Sequence, residues 1–342
     1  MIKSKLIKIV KRLDRSLSGP ANNFSEQFMY GHREILIAYA GVKANMAIKG
    51  SIEHGWSPFG PNLGVPKRPG KRYIHLAWSS INKTRFNYQY PSTVIPVGAP
   101  FLYLCQLFSE PKPSMPTNGR ELLFIPTHGA ETDSPKINSI ISEYSNMYNP
   151  RRTTVQLYWT EFVKKEIREA YLSKGFHIVT AGFSGLSATE GLGISVRERA
   201  MSTIGGRNLF LLRVLMNLHN HSEIIFGGFG TSTLYAGFLN KRIHLLSNWD
   251  NIETVNYDSN LTTTLETAYN NFISREIFPH YFNNSGIANS SFKEFCETEL
   301  GCNDMLSRSD LAKLICDNYF QLNSHTPVNE LLFACSAENQ GY

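Results

Sequence analysis

Three short stretches gather residues able to do chemistry on a small ligand. In "SEIIFGGFGTSTLYAGFLNKRIHLL", residues 222–246, an apolar run breaks into Gly227, Gly228 and Gly230, then Thr231, Ser232 and Thr233. A strand that feeds a helix through such a turn presents unpaired helix N–H groups and the positive end of the helix dipole. Together these hold a phosphate. Glycines let the anion reach the backbone, and hydroxyls add donors. Simple packing of a strand–helix turn uses glycines too. The spacing is not GxGxxG and no acidic ribose partner follows about 20 residues on, which disfavours a dinucleotide dehydrogenase. "IEHGW" sets His54, an imidazole suited to proton transfer, between Glu53 and the Gly55–Trp56 turn. "ELLFIPTHG" ends a third apolar run in Thr127, His128 and Gly129.

These groups need elements to position them. Before residue 109, "REILIAYAG" predicts a helix stopped at Gly41, "AIKGSIEHGW" a strand ending in a loop, "RYIHLAWSS" and "STVIPVG" further strands, and "APFLYLCQLF" a buried helix. The segment "SEPKPSMPTNG", residues 109–119, carries three prolines and reads as a linker. Beyond it, strands and helices alternate. "ELLFIPTHG", "TTVQLYW", "FHIVTAG", "SEIIFGG" and "RIHLL" are the strands. "SPKINSIISEYSNMY", "TEFVKKEIREAYLSKG" (entered at Thr160, closed at Gly175), "RNLFLLRVLMNLHNH" and "STLYAGFLN" are the helices. That alternation predicts α/β architecture with parallel sheets. The expected organisation is two facing Rossmann-like domains, residues 1–108 and 120–250, with helices from 251–342 packing across both.

Composition is that of a globular chain: 342 residues, 42% hydrophobic and 18% charged, enough for two cores and a cleft. The net charge of +6 is modest and local, so no nucleic acid is expected as partner. Much of it sits in "MIKSKLIKIVKRLDR", with six Lys/Arg against one Asp. On a helix Ile2, Leu6, Ile9, Leu13 and Leu17 share a face. Residues 1–17 therefore suit either an anionic inner-membrane surface or docking on their own domain. They lack a secretory cleavage pattern, and no apolar run approaches the ~18 residues that span a bilayer. Five cysteines without CxxC spacing argue against a disulfide framework or zinc ribbon, and a reducing cytoplasm is the expected compartment. HxH at His219 and His221 is a poor metal signal, no HExxH is present, and neither GxSxG nor a Ser-His-Asp pattern can be assigned.

The unit "VQLYWTEFVKKEIREAYLSKGFHIVTAG … IIFGGFGTSTLYAGFLNKRIHLL" resembles bacterial GT-B glycosyltransferases of capsule and surface-polysaccharide assembly. The similarity lies in a tyrosine-bearing helix ending in Lys-Gly, a strand ending in a small residue and Gly, the hydroxyl-rich turn, a Tyr-Ala helix and a lysine-led strand. "YGHREILIAYAGV" and "IEHGW" look like segments of the same enzymes, so the resemblance spans about residues 30–247. A subset moves Kdo or sialic-acid-like sugars from cytidine monophosphate donors. That subset's His-Pro pair has no counterpart, since no His here precedes Pro.

The resemblance implies a nucleotide-sugar substrate, a glycan or lipid-linked glycan acceptor, and no metal or other cofactor. Under it Gly230, Thr231, Ser232 and Thr233 contact the donor phosphate. Thr127, His128 and Gly129 face the same cleft, His128 either stabilising the leaving phosphate or capping the next helix. Tyr158, Trp159, Thr160, Ala181 and Gly182 surround base and ribose. His54 is the first candidate for general base and Glu53 the second; neighbours along a strand point to opposite faces, so both cannot face the cleft if the strand continues through them. Trp56 offers a sugar platform. His32 and Arg33 of "GHRE", and Lys67 and Arg68 in the loop "SPFGPNLGVPKRPGKR", would meet an anionic acceptor. Two other classes stay open: a sugar-nucleotide epimerase or polyol-phosphate transferase on the same scaffold, which would use carboxylates such as Glu131 and Asp133, and a non-catalytic glycan- or nucleotide-binding partner.

Overall fold

The structure, a computed structural model, describes residues 30–42, 48, 51–59, 74–87, 93–108, 120–127, 134–182, 210–246 and 268–321. Helix α1 (His32–Ala40) buries Ile35, Leu36, Ile37 and Ala40. It stops where Gly41 turns left-handed at φ 71° and returns its N–H to the Ile37 and Ala38 carbonyls. Strands β1 (Ser51–Ile52), β2 (Ile74–Ala77) and β3 (Thr93–Pro96) form a three-stranded parallel sheet in that order. Helix α2 (Ser80–Asn87) connects β2 to β3, and α3 (Pro100–Leu107) follows with proline in its first turn.

The second sheet contains β4 (Leu122–Ile125), β5 (Thr153–Leu157), β6 (His177–Thr180), β7 (Glu223–Phe226) and β8 (Arg242–Leu245). All pairings are parallel, in the order β6-β5-β4-β7-β8. Every residue of β5 is buried, as a strand covered on both faces requires. Helix α4 (Ser134–Met147) joins β4 to β5, α7 (Phe210–Asn220) precedes β7, and α8 (Thr231–Phe238) joins β7 to β8. The expected single helix from Thr160 to Gly175 is instead two, α5 (Trp159–Phe162) and α6 (Lys165–Ser173). Lys164 takes extended backbone between them, and Arg168 reaches back to the Phe162 carbonyl that the break leaves over.

This is an α/β, Rossmann-like fold. One buried cluster runs from Leu36, Ile52, Trp78 and Phe101 beside the first sheet to Leu123, Ile224, Leu234 and Ile243 of the second. A smaller one, with Phe124, Val155, Ile167, Tyr171 and Ile225, fills the space under α4 and α6. After β8 a helix with a π-turn at Ile273–Ile277 continues into α9 (Phe278–Tyr281), then α10 (Phe292–Glu299) and α11 (Arg308–Gln321). Helix α10 lies against α8, where Gly237 leaves room for Cys296 and Phe292. Past it, the Leu300 carbonyl accepts the Ala99 N–H at 2.8 Å and Asp304 accepts the Ser80 N–H at 2.8 Å. The chain between α10 and α11 is thus hydrogen-bonded to the loops of the three-stranded sheet. The proposed linker 109–119 and basic segment 1–17 lie outside the described residues. Among the described residues no helix is long and apolar enough to cross a membrane.

Candidate functional site

Strand order reverses between β4 and β7, and in open parallel sheets that switch point is where ligands bind. A cavity of about 450 Å³ opens there. Its walls are the carboxyl-end turns of four strands: Ile125–Thr127 after β4, Gln156–Tyr158 at β5, Ala181 after β6, and Phe226 to Thr233 from β7 into α8. Phe210, Leu211 and Val214 of α7 close one side. Opposite them stand Tyr30, at the start of α1, and His54, Gly55 and Trp56, which follow β1.

The glycine-rich turn divides its labour. Gly227 and Gly228 permit close packing: a Cβ on Gly227 would meet the Thr127 nitrogen at 2.7 Å, and one on Gly228 the Thr127 hydroxyl at 2.7 Å. They press the turn after β7 onto the turn after β4. Gly230 faces open space. Its N–H is capped by the Thr233 hydroxyl at 3.2 Å, so buried Thr233 serves the helix start. The N–H groups of Thr231 and Ser232, in the first helical turn, have no intrahelical acceptor and remain available to an anion.

Thr231 also ties the two sides of the cavity together. Its Oγ1 accepts the Trp56 N–H at 3.0 Å, with Gly55 packed close beside it. The loop carrying His54 is therefore pegged to the first residue of α8. Trp56 is anchored further by its indole N–H, which donates to Glu299 at 2.6 Å, and by edge-on contacts with Phe229 and Tyr269. At 6% exposure its ring face is used in packing, and little of it is presented to a sugar.

Glu53, which follows the end of β1, turns the other way. It is fully buried, with one carboxylate oxygen accepting the Trp78 N–H at 2.6 Å and the other the Asn82 amide at 2.7 Å. Its backbone carbonyl accepts the Trp78 indole N–H at 2.8 Å. The structure brings His54 to the cavity and leaves Glu53 behind it, holding the β1–β2 edge. His32 is likewise fully buried, its ring near Tyr30 and Trp78. Burial, and then the nearby His54, pulls its pKa down to about 3, against a weaker opposing pull from the Glu53 carbonyl. Arg33 is buried beside Glu34, 3.6 Å away, and is not part of the cavity wall.

Of the other sequence candidates, Thr127, Tyr158, Ala181, Gly230, Thr231, Ser232 and Thr233 line the cavity. Trp159 is buried in a separate cluster with Phe162 and Val163, Thr160 follows it in α5, and Gly182 lies just beyond the wall. His128, Gly129, Glu131, Asp133, Lys67 and Arg68 lie outside the described residues. The helix-end histidines have a structural neighbour: Lys241 donates to the His219 and His221 carbonyls at 2.9 and 3.0 Å, closing α7. Among the described residues no group of three His, Cys, Asp or Glu is placed to hold a metal ion.

Sequence reading missed Tyr30. It takes the left-handed conformation at φ 59°, costly for an aromatic residue, immediately before left-handed Gly31. That double turn aims the ring into the cavity. There it lies nearly parallel to the His54 imidazole (centroids 6.5 Å, 28°), against Phe210 at 4.8 Å, and hydrogen-bonded to the Tyr158 phenol. Burial, reinforced by Tyr158, raises its pKa far above the ordinary phenol value, so it stays neutral. The signal was the Tyr-Gly pair directly before a helix.

The arrangement can bind an anion at the start of α8, surround an uncharged ring with Tyr30, Tyr158 and Phe210, and offer one imidazole to an incoming hydroxyl. Among the described lining residues His54 is the sole imidazole, and none is Asp, Glu, Lys or Arg. No family model and no curated protein sequence matches the chain. Among solved structures the chain is similar to the "S. aureus MnaA-UDP co-structure", at 10% sequence identity and a TM-score of 0.32, over 74% of this chain. The chain spans 61% of that chain's length, and a likeness of this degree carries no functional argument.

Proposed function

We propose that the chain is a nucleotide-sugar-dependent glycosyltransferase of GT-B type, its two sheets forming the facing lobes and its cavity the donor site. The observation that supports this reading is a juxtaposition. His54 stands on one wall, the anion-receptive start of α8 on another, and the Trp56–Thr231 hydrogen bond fixes one against the other. Donor phosphate sits on the Thr231 and Ser232 N–H groups. There the helix dipole stabilises charge that grows as the glycosidic bond to phosphate breaks. His54 takes the proton of the acceptor hydroxyl as that oxygen attacks the anomeric carbon. His128, Lys67 and Arg68 remain candidates to complete the phosphate and acceptor contacts.

A test separates binding from chemistry. Replacing His54 by Gln is expected to lower the transfer rate by about 100- to 10,000-fold while nucleotide affinity, read by calorimetry, stays within about twofold. Full transfer by His54→Gln removes the base assignment. Absence of any nucleotide binding by the unmodified protein removes the transferase reading itself. An epimerase on the same scaffold would draw on carboxylates at the donor sugar, and Glu131 and Asp133, the candidates for that role, lie outside the described residues.

A further inference from the structure

Strand β5, TTVQL, is buried throughout and carries one amide among its threonines and aliphatic residues. Gln156 is 8% exposed and lines the cavity, between Val155 and Leu157, which point to the other face of the sheet. Two residues on, Tyr158 shares its side and lines the same wall. Gln156 does not sit free. From α7, one turn beyond the cavity residue Val214, Asn217 donates its amide N–H to Gln156 Oε1 at 2.8 Å. With its oxygen taken, Gln156 presents its NH₂ group, which has no hydrogen-bond partner among the described residues. An amide whose oxygen is held by a neighbour and whose donors open onto a cavity is oriented to give hydrogen bonds to whatever ring enters there.

What accepts is constrained by its surroundings. The nearby wall is aromatic and aliphatic (Tyr30, Tyr158, Phe210, Leu211, Val214) and carries no charge. A planar ring bearing an exocyclic carbonyl oxygen fits both the faces and the donor; adenine's one exocyclic group is an amino group, itself a donor, and its acceptors are nitrogens set back within the ring edge. Its place in the sheet adds a second constraint. Gln156 lies on β5, and the phosphate-receptive turn follows β7, two strands away in the order β5-β4-β7. Two strand spacings are about 10 Å, a gap that a ribose bridges between a base and its phosphates.

We infer that Gln156, oriented by Asn217, reads a ring carbonyl of the nucleobase, so the site takes uracil, cytosine or guanine nucleotides and discriminates against adenine. This rests on the proposed nucleotide-sugar reading and deepens it by naming the donor's base chemistry. Gln156 is a specificity residue here; it takes no part in proton transfer.

Calorimetric titration of the full chain with UMP, CMP, GMP and AMP tests it. At least one of the three carbonyl-bearing nucleotides is expected to bind about tenfold or more tightly than AMP, the loss of one buried hydrogen bond. Gln156→Leu, similar in volume, is expected to weaken that nucleotide about tenfold, leave AMP unchanged and so erase the preference. Asn217→Ala, which spares the amide but frees it to turn, is expected to reduce the preference without abolishing binding. That second variant serves where Gln156→Leu fails to fold, and the wild-type comparison with AMP needs no variant at all. Equal affinity for AMP and the other three, or a preference intact in Gln156→Leu, overturns the inference while leaving the nucleotide site standing. No binding of any nucleotide overturns both.

Discussion

At the scale of single residues, the cavity depends on side chains whose hydrogen bonds fix other groups. Thr231 is the clearest. Its backbone N–H faces the anion site while its hydroxyl oxygen receives the Trp56 N–H. Thr231→Val preserves shape and backbone but removes the acceptor, releasing the loop that carries His54. We expect nucleotide affinity to change less than about threefold and turnover to fall about tenfold or more, since displaced catalytic groups lose rate before binding. Thr231→Ser should restore both. Equal loss of affinity and rate in Thr231→Val would mean the hydroxyl binds donor directly. Tyr30 gives a second expectation. Tyr30→Phe keeps the ring beside His54 and Phe210 but deletes the hydrogen bond to Tyr158. A stability cost of about 1 kcal/mol in urea unfolding is expected. No change would place the strained turn's value in ring packing alone.

Elements show why some of this could be read in the chain and some could not. Helix α1 is legible because Gly41 stops it, and β5 and β7 are legible as short apolar runs at even spacing. Helix α2 is not, for "SINKTRFN" has no apolar stripe and its buried Asn82 is recruited by Glu53, a tertiary partner. The break between α5 and α6 falls at Lys164, which takes extended backbone where the sequence has neither Gly nor Pro to mark it. At the site, β1 ends at Ile52, so alternation does not reach Glu53 and His54; their different directions are set by the Trp78 and Asn82 contacts of Glu53. Gln156 left a trace, a lone amide in a short β-branched run, but its meaning needs Asn217, 61 residues away on a helix. The lysine that leads β8 is also a helix cap: Lys241 closes α7 through the His219 and His221 carbonyls. Lys241→Met should therefore loosen the end of α7. We expect faster hydrogen exchange at residues 217–221 and about 1 kcal/mol lost in unfolding, with the cavity end of α7, near Phe210, unaffected.

Across the whole molecule, the buried histidines govern how stability responds to acid. His32 is enclosed by Tyr30 and Trp78, and burial together with His54 holds its folded pKa at about 3, against an ordinary value of about 6.5 in the unfolded chain. Above pH 6.5 both states leave it neutral and its environment costs nothing. As pH falls from 6.5 toward 3, the unfolded chain binds a proton that the folded one refuses, so stability drops with a slope of about 1.4 kcal/mol per pH unit. His75 and His221, whose pKa values burial also lowers, act in the same direction. Urea unfolding between pH 8 and pH 5 avoids most carboxylate titration and isolates this effect. Over that range His32 alone should remove about 2 kcal/mol. His32→Phe keeps a planar ring in the slot but cannot bind a proton, so its stability should fall about 2 kcal/mol less than the wild type's over the same range. Parallel curves for the two proteins would show that His32 titrates in the folded state as it does in the unfolded one. It would then be reached by water, and the packing that separates α1 from the cavity behind His54 would be open.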